Sequence, residues 1–208
     1  EENTLSLHDA LPIFIDLLRH GEPEGGARFR GTVDDPLSAA GWAQLAAATD
    51  GHAWDTVVCS PLRRCREFAQ ALAAERGLEC RVEPDFREIS FGLWEGLTAP
   101  QVQADYGDAL TRFWQDPVAF PPPQGEPVAA FGARVDTAWT RLLADAQGRR
   151  VLLVAHGGVI AMVLRGVLGM PLSHAWRVRL GYAGRARLRL DHTEHGTLAA
   201  LVGLTPGT

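Results

Sequence analysis

The sequence predicts an α/β fold, specifically a three-layer α/β/α sandwich with a mainly parallel central sheet. Short apolar runs of strand length alternate along the chain with longer helical stretches, an order typical of parallel strands joined by helices. These runs are almost continuously apolar, as expected for strands that are covered on both faces. With 208 residues, 46% of them hydrophobic, the chain is long and apolar enough for one such domain.

The elements follow one another in a regular order. The predicted strands are residues 13–18, 56–59, 81–83 and 151–155, and the predicted helices are residues 39–50, 62–76, 128–146 and 159–168. Gly77 and Gly169 follow two of these helices, and glycine is a common residue at a helix end. Residues 174–204 alternate in polarity, which predicts further strands. The arginines at 177, 179, 185, 187 and 189 would then share one strand face, either solvated or attractive to a nucleotide.

Two segments stand apart from this pattern. Residues 1–12 differ in composition from the rest and end in Pro12, so we interpret them as a flexible or non-native extension of a single domain over residues 13–208. Residues 100–127 form the one long irregular segment, with helical pieces in it, which predicts a small cap or lid. Its aromatic residues Phe113, Trp114 and Phe120 either line the lid or form the core of the cap.

Composition limits the possible partners. The net charge of −5 does not favour nucleic-acid binding, and no apolar run approaches the ~18 residues that cross a bilayer. We therefore expect a cytoplasmic protein, monomeric or homodimeric. All 20 basic residues are arginine, which excludes a Walker-type phosphate loop, a pyridoxal Schiff base and any catalytic lysine. An anion would have to be bound by arginine or by backbone amides.

The three cysteines do not indicate thiol chemistry. Cys59, Cys65 and Cys80 are odd in number and form no C-x-x-C pair, so reduced thiols are expected. None of them has an arginine six positions later, which excludes the C-x5-R loop of protein tyrosine phosphatases.

Cationic or imidazole groups follow three of the predicted strands. Arg19, His20 and Gly21 follow the first strand, Arg63 and Arg64 follow the second, and the run 156–158 (H-G-G) follows the strand at 151–155. Ligands of open α/β sheets bind beyond the carboxyl ends of the strands, where helix N-termini also offer free amides. The sequence therefore predicts an anion pocket at this edge of the sheet.

Two histidines in such a pocket can perform phosphoryl chemistry. One neutral imidazole can attack phosphorus, and the other can donate hydrogen bonds to the equatorial oxygens. A general acid is still needed for the leaving oxygen. The aromatic and glycine-rich segment 87–96 supplies Glu88 and Glu95, and Glu22 and Asp85 are further candidates. A carboxyl group with apolar neighbours beside a phosphate would have a raised pKa.

Four motifs in order resemble the histidine phosphatase superfamily: L-L-R-H-G-E, C-S-P-L-R-R-C, R-E-I-S-F-G-L-W-E-G and V-A-H-G-G-V. The resemblance covers residues 13–204. It implies that His20 is phosphorylated while Arg19 and Arg64 grip the phosphate, with Glu88 as proton donor and His156 as second histidine. It further implies a small phosphorylated substrate and neither metal nor cofactor. The residues expected to bind the substrate are Gly21, Arg28, Arg30, Gly31 and Gly157.

Within the superfamily the chain looks most like α-ribazole phosphatase-type proteins, on the pieces R-G-T-V-D-D-P-L-S and F-W-Q-D-P among others. That likeness implies α-ribazole 5′-phosphate, an intermediate of cobalamin synthesis, as the substrate. Arg30 stands where many members have glutamine, and Pro127 replaces the serine of a G-E-S motif, so other substrates remain open. The alternatives are a broad-specificity or sugar-phosphate phosphatase, a mutase-type phosphotransferase, and a non-catalytic phospho-ligand binder.

Overall fold

A computed structural model describes residues 11–193 and 196–208 of the chain. Its centre is a six-stranded sheet with the strand order β3-β2-β4-β1-β5-β6. The strands are β1 (Ile13–Arg19), β2 (Thr56–Cys59), β3 (Cys80–Val82), β4 (Arg150–Ala155), β5 (Arg185–Thr193) and β6 (Gly196–Thr205). The first four strands in this order are parallel, whereas β5 and β6 are antiparallel to their neighbours. The predicted α/β class and its parallel core are confirmed, with an antiparallel pair at one edge. The extension predicted over residues 1–12 lies outside the described residues, apart from Leu11 and Pro12.

The helices begin and end close to the predicted positions. They are α1 (Ala39–Thr49), α2 (Arg63–Arg76), α3 (Ala99–Tyr106), α4 (Ala109–Gln115), α5 (Val128–Asp145) and α6 (Gly157–Val167). The Ser38 hydroxyl caps α1 by accepting from the backbone of Gly41, and α2 ends at Gly77, whose φ of 64° is left-handed. Helix α6 begins two residues earlier than predicted, which places His156 at its N-cap. The second motif histidine therefore sits at a helix start.

Helices cover both faces of the sheet, as the three-layer prediction requires. Successive strand residues point to opposite faces, so Leu17 and Leu18 enter two different buried clusters. The cluster around Leu18 packs under α1 and α2, and the cluster around Leu17 packs under α5 and α6, with Phe131 of α5 at its centre. Both clusters are fully buried, which holds the ends of β1, β2 and β4 in fixed relative positions.

Part of the chain differs from prediction. Residues 174–184 are not strand: Leu172–Arg177 is a 3₁₀ helix, and the residues up to β5 are irregular. The irregular segment 100–127 contains the helical pieces predicted for it, which are α3 and α4 in its first half. No helix among the described residues has the length and apolar character needed to span a bilayer.

Candidate active site

A cavity of about 280 Å³ lies where β1 and β4 end. Arg19 and His20, which follow β1, and Gly157 and Gly158, which begin α6, line its floor, and Glu88 lines it from the loop that follows β3. The walls are mainly aromatic, formed by Phe29, Phe91, Trp114, Trp176 and Tyr182. Residues from all three predicted strand ends meet here, because His20 and Gly157 line the cavity and the buried Arg64 is close enough for its charge to lower the pKa of His20.

The His20 ring is held in its neutral form. Its Nδ1 lies 2.7 Å from the carbonyl oxygen of Gly21. A carbonyl only accepts hydrogen bonds, so Nδ1 carries the proton and Nε2 of the neutral ring keeps its lone pair. Burial lowers the pKa of His20 well below its usual range, and the nearby charges of Arg64 and Arg19 lower it further. The ring is therefore neutral near neutral pH, and its Nε2 carries no proton.

His156 lies beside His20, with 5.3 Å between the ring centroids and an edge-on arrangement. Its Nε2 is 2.6 Å from the hydroxyl oxygen of Ser60, which follows β2 and also accepts from the backbone N–H of Leu62. His156 is fully buried, and burial lowers its pKa well below the usual value, followed by the charge of Arg64. Ser60 fixes the orientation of this ring, a role that the sequence analysis missed although the residue stands in the C-S-P-L-R-R-C motif.

Two guanidinium groups flank the histidines, the buried one of Arg64 and the partly buried one of Arg19, and both are partly unsatisfied. Arg64, at the start of α2, is completely buried and donates to the carbonyl oxygens of Val33 and Arg30. Arg19 donates to the carbonyl oxygen of Leu180 and lies 4.7 Å from the Tyr182 ring centroid. The Nε atoms of both arginines are buried and find no hydrogen-bond partner among the described residues. A phosphate oxygen is a suitable acceptor for such orphaned donors.

Glu88 is a buried carboxyl group at the cavity. Only 8% of the residue is exposed. One carboxyl oxygen accepts from the backbone N–H of Gly158 at 3.0 Å and the other from the N–H of Ile89 at 3.0 Å. Burial raises the pKa of Glu88, and this effect exceeds the opposing effect of the two hydrogen bonds. The group therefore holds a proton at higher pH than an ordinary glutamate and can act as a general acid.

The other candidate acids have different surroundings. Glu95 accepts from the backbone N–H groups of Gly31, Thr32 and Phe91, so it orders the loop after β1. Asp85 forms an ion pair with Arg141 on α5. Neither of these carboxyl groups lines the cavity, nor does Glu22.

Of the three glycines expected to bind substrate, only Gly157 lines the cavity. A Cβ atom built on Gly21 would lie closer than 3.0 Å to the backbone of Gly41 in α1, and one on Gly31 would do so to the backbone of Ile89. These two glycines permit close packing within the protein, whereas a Cβ on Gly158 would meet the Glu88 carboxylate. The sequence predicts that these glycines let the backbone approach the ligand. In the structure, the missing side chains of Gly21 and Gly31 instead allow close contact with the backbones of Gly41 and Ile89.

The arginines of the rim are held differently from one another. The buried guanidinium of Arg30 pairs with Asp35 at 2.6 Å and also donates to two loop carbonyls, so its donors are largely engaged. Arg28 is exposed and donates to the carbonyl oxygens of Gly25 and Gly96. Both line the cavity.

Arg179 is a site residue that the sequence analysis assigned to a strand face. It lies before β5, lines the cavity, and its guanidinium carbon is 4.4 Å from the Trp114 ring centroid. Of the other arginines in that series, Arg187 pairs with the buried Asp16 at 2.8 Å. The alternation of arginines therefore reflects two separate environments.

The cap aromatics divide between the two roles considered. Phe113 is fully buried and packs edge-on against Trp94, whereas Trp114 lines the cavity and Phe120 is exposed. Among the residues that the structure describes, no group of three or more histidine, cysteine, aspartate or glutamate side chains is arranged to hold a metal ion.

Comparison with known proteins places the chain in a family. A model of the histidine phosphatase superfamily (branch 1) matches residues 15–201. An adenosylcobalamin/alpha-ribazole phosphatase of Escherichia coli is 30% identical over 172 residues, which cover 79% of this chain and 83% of that protein. A glucosyl-3-phosphoglycerate phosphatase of Mycobacterium tuberculosis is 34% identical over 183 residues, covering 82% and 81%. The native structure of a mycobacterial glucosyl-3-phosphoglycerate phosphatase superposes with a TM-score of 0.83 at 28% identity, over 95% of this chain and 100% of that one. The chain belongs to the histidine phosphatase superfamily, as its four motifs predict.

Proposed function

We propose that this phosphatase hydrolyses phosphate monoesters through a covalent phosphohistidine at His20. One observation carries the proposal: the neutral His20 ring presents an unprotonated Nε2 beside Arg19 and Arg64, whose buried Nε atoms have no partner among the described residues. A nucleophile and unsatisfied anion donors are thus held together before any substrate arrives. This arrangement favours in-line attack on a bound phosphoryl group.

The reaction has two balanced steps. In the first, Nε2 of His20 forms a bond to phosphorus while the bond from phosphorus to the ester oxygen breaks, and Glu88 gives its proton to the departing oxygen. Arg19, Arg64 and His156 would stabilise the charge on the remaining phosphoryl oxygens. In the second step, water attacks phosphorus, Glu88 accepts a proton from it, and the bond from phosphorus to His20 breaks. Phosphate leaves, and both side chains return to their starting states.

The nucleophile is tested by comparing His20→Ala with His174→Ala, a histidine in the 3₁₀ helix Leu172–Arg177 that does not line the cavity. We expect hydrolysis of p-nitrophenyl phosphate to fall at least a thousandfold in the first variant and to remain in the second. Rapid acid-free quenching should also trap an acid-labile phosphate on the wild-type protein only. Undiminished hydrolysis by His20→Ala would refute the proposal, and formation of isomeric esters in place of free phosphate would identify a transferase.

Two substrates are supported by different features. The relative from E. coli and the aromatic wall of the cavity support α-ribazole 5′-phosphate, whose base can stack on an aromatic ring. The mycobacterial relatives, together with Arg28 and Arg179, support a sugar phosphate that carries a second anionic group. Neither arginine forms an ion pair with a carboxylate in the described part of the chain, so an acidic substrate group could bind there.

These candidates are separated by measuring kcat/KM for three compounds: α-ribazole 5′-phosphate, glucosyl-3-phosphoglycerate, and glycerol 3-phosphate. The last of these has neither a base nor a second acidic group. A preference of tenfold or more for one of the first two assigns the substrate class. Equal values on all three support a phosphatase of broad specificity instead.

A further inference from the structure

We propose that Arg134 is a positioning residue that holds the backbone of Glu88 at the distance from the cavity that proton donation requires. The inference rests on the proposed role of Glu88 and adds a residue to it that no motif contains. Arg134 is in α5, one turn after Phe131, and its side chain is only 11% exposed.

All the nitrogen atoms of this guanidinium are engaged. Nη1 donates to the carbonyl oxygens of Asp85 and Arg87 at 2.7 and 2.8 Å, and Nη2 donates to the carbonyl oxygen of Glu88 at 3.0 Å. Nε and Nη2 also form a bidentate pair with Glu126, at 2.7 and 2.8 Å. Five bonds use the full donor set of an arginine. One side chain therefore fixes three carbonyl groups in the loop that carries the acid.

Glu126 anchors this guanidinium from the opposite side. It belongs to the segment that leads from the cap into α5, and its backbone N–H donates to the carbonyl oxygen of Ser90 at 2.9 Å. One of its carboxyl oxygens accepts from the N–H of Ser90, and its side chain is 17% exposed. The Arg134–Glu126 ion pair is thus largely shielded from water. Removal of either partner would leave the charge of the other without a counter-charge. The ion pair joins the cap segment to the loop of Glu88.

Backbone position matters here because, within residues 11–193 and 196–208, the hydrogen bonds of the Glu88 carboxylate all come from backbone groups. It accepts from the N–H of Gly158 and from its neighbour Ile89. A shift of the loop changes the distance from the carboxyl group to α6, and hence to any leaving oxygen above His20. Displacements of about 1 Å in a catalytic group can reduce a rate by about a hundredfold.

Arg141 provides a matched control on the same helix. It lies seven residues later and pairs with the side chains of Glu83 and Asp85, near the start of the same loop. Its side chain is 46% exposed and forms no bond to the Glu88 backbone among the contacts of the described residues. Replacing it removes a cation and two ion pairs from the loop but leaves the carbonyl groups near Glu88 bound.

The test exploits the dependence of general acid catalysis on the leaving group. p-Nitrophenolate leaves readily without a proton, whereas the alkoxide of glycerol 2-phosphate needs one, so the acid contributes mainly to the second reaction. The measured quantity is the ratio of kcat/KM for glycerol 2-phosphate to that for p-nitrophenyl phosphate, which cancels any loss of folded protein. It is measured for wild type, Arg134→Lys, Arg134→Gln and Arg141→Gln.

We expect the ratio to fall about tenfold or more in both Arg134 variants and to stay within twofold of wild type in Arg141→Gln. Lysine keeps the charge but cannot make five fixed bonds, so it should not restore the ratio. If the Arg134 variants do not fold, Glu126→Gln should lower the ratio in the same direction. An unchanged ratio, or its full restoration by lysine, would overturn the inference. Activity surviving in His20→Ala would instead refute the proposed function.

Discussion

Gly158 limits how the acid can be placed, and its replacement by alanine isolates that effect. Gly158 lies in the first turn of α6 and donates its N–H to a Glu88 carboxyl oxygen at 3.0 Å. A Cβ atom at this position would lie closer than 3.0 Å to the other carboxyl oxygen and 3.1 Å from the carboxyl carbon. Alanine itself is favoured over glycine within a helix, so the substitution acts on the groups that face the new Cβ, chiefly the Glu88 carboxylate and, at 3.3 Å, the Phe131 ring.

The size of the effect follows from the displacement that this contact forces. Non-bonded carbon atoms normally approach to about 3.5–4.0 Å, so the carboxylate must move away by on the order of 1 Å. Its opposite side is packed, because Glu88 is buried, so the movement disrupts the hydrogen bond to Gly158. A misplacement of this size lowers a rate by about a hundredfold. This corresponds to about 2.7 kcal/mol in the activation free energy.

The assay compares kcat/KM for glycerol 2-phosphate in Gly158→Ala and in Gly166→Ala. Gly166 lies in the same helix, and a Cβ built there would meet no atom within 4 Å. The control variant should match wild type in activity, with a Tm equal to or slightly above it. Wild-type activity in a folded Gly158→Ala protein would refute the reasoning, because it would mean that the acid tolerates displacement or is a different residue.

Three further predictions concern pH, anion binding and stability. The raised pKa of Glu88 keeps the acid protonated to higher pH, and the lowered pKa of His20 keeps the nucleophile neutral to lower pH. A plot of kcat/KM against pH should therefore be a bell, with an alkaline limb that Glu88→Gln removes. Arg64→Lys, whose donors all lie on one nitrogen and cannot reproduce the planar fork that reaches both carbonyls and leaves Nε for phosphate, should lower kcat/KM by about a hundredfold or more in steady-state assays. Asp16→Ala removes the acceptor of the buried Trp54 Nε1–H and the partner of Arg187, whose side chain is 40% exposed and can be solvated instead. It should cost about 1–3 kcal/mol of unfolding free energy, a fall in Tm of about 2–12 °C by thermal denaturation, while kcat stays unchanged.

The parallel strands could be predicted because a strand that is buried on both faces appears in the sequence as a short, continuously apolar run. β2 begins and ends where the apolar run 56–59 does, and the helices that follow β2 and β4 begin within two residues of the predicted positions. Residues 174–184 misled the prediction for a physical reason. Leu180 is buried, and Trp176 packs on Phe113 and Phe131. An irregular segment therefore lies over the core here, and its apolar residues alternate with polar ones in the same way as those of a strand. Alternation by itself cannot distinguish this packing from pairing in a sheet.

The motifs located the groups with chemical roles but not the groups that hold them in place. His20, Glu88 and His156 are at one site because their strands end at one edge, which the order of the elements already indicates. The contact of Ser60 with His156 depends on the pairing of β2 with β4, and the position of Arg134 behind Glu88 depends on how α5 packs, over separations of 96 and 46 residues along the chain. Such contacts leave no periodic signal in a single sequence.

The same geometry suggests that a bound substrate changes the protonation of the side chains around it. Burial lowers the pKa of both imidazoles, and the charges of Arg64 and Arg19 lower it further, so the positive charge of the site resides on the guanidinium groups. A phosphate dianion opposes these effects, since a nearby negative charge favours the protonated form of every group around it. Its arrival would raise the pKa of Glu88 further and allow His156 to donate to a phosphoryl oxygen. Departure of phosphate would reverse both changes. Protonation of the acid is thereby coupled to occupancy of the anion site, and that coupling requires no movement of the fold.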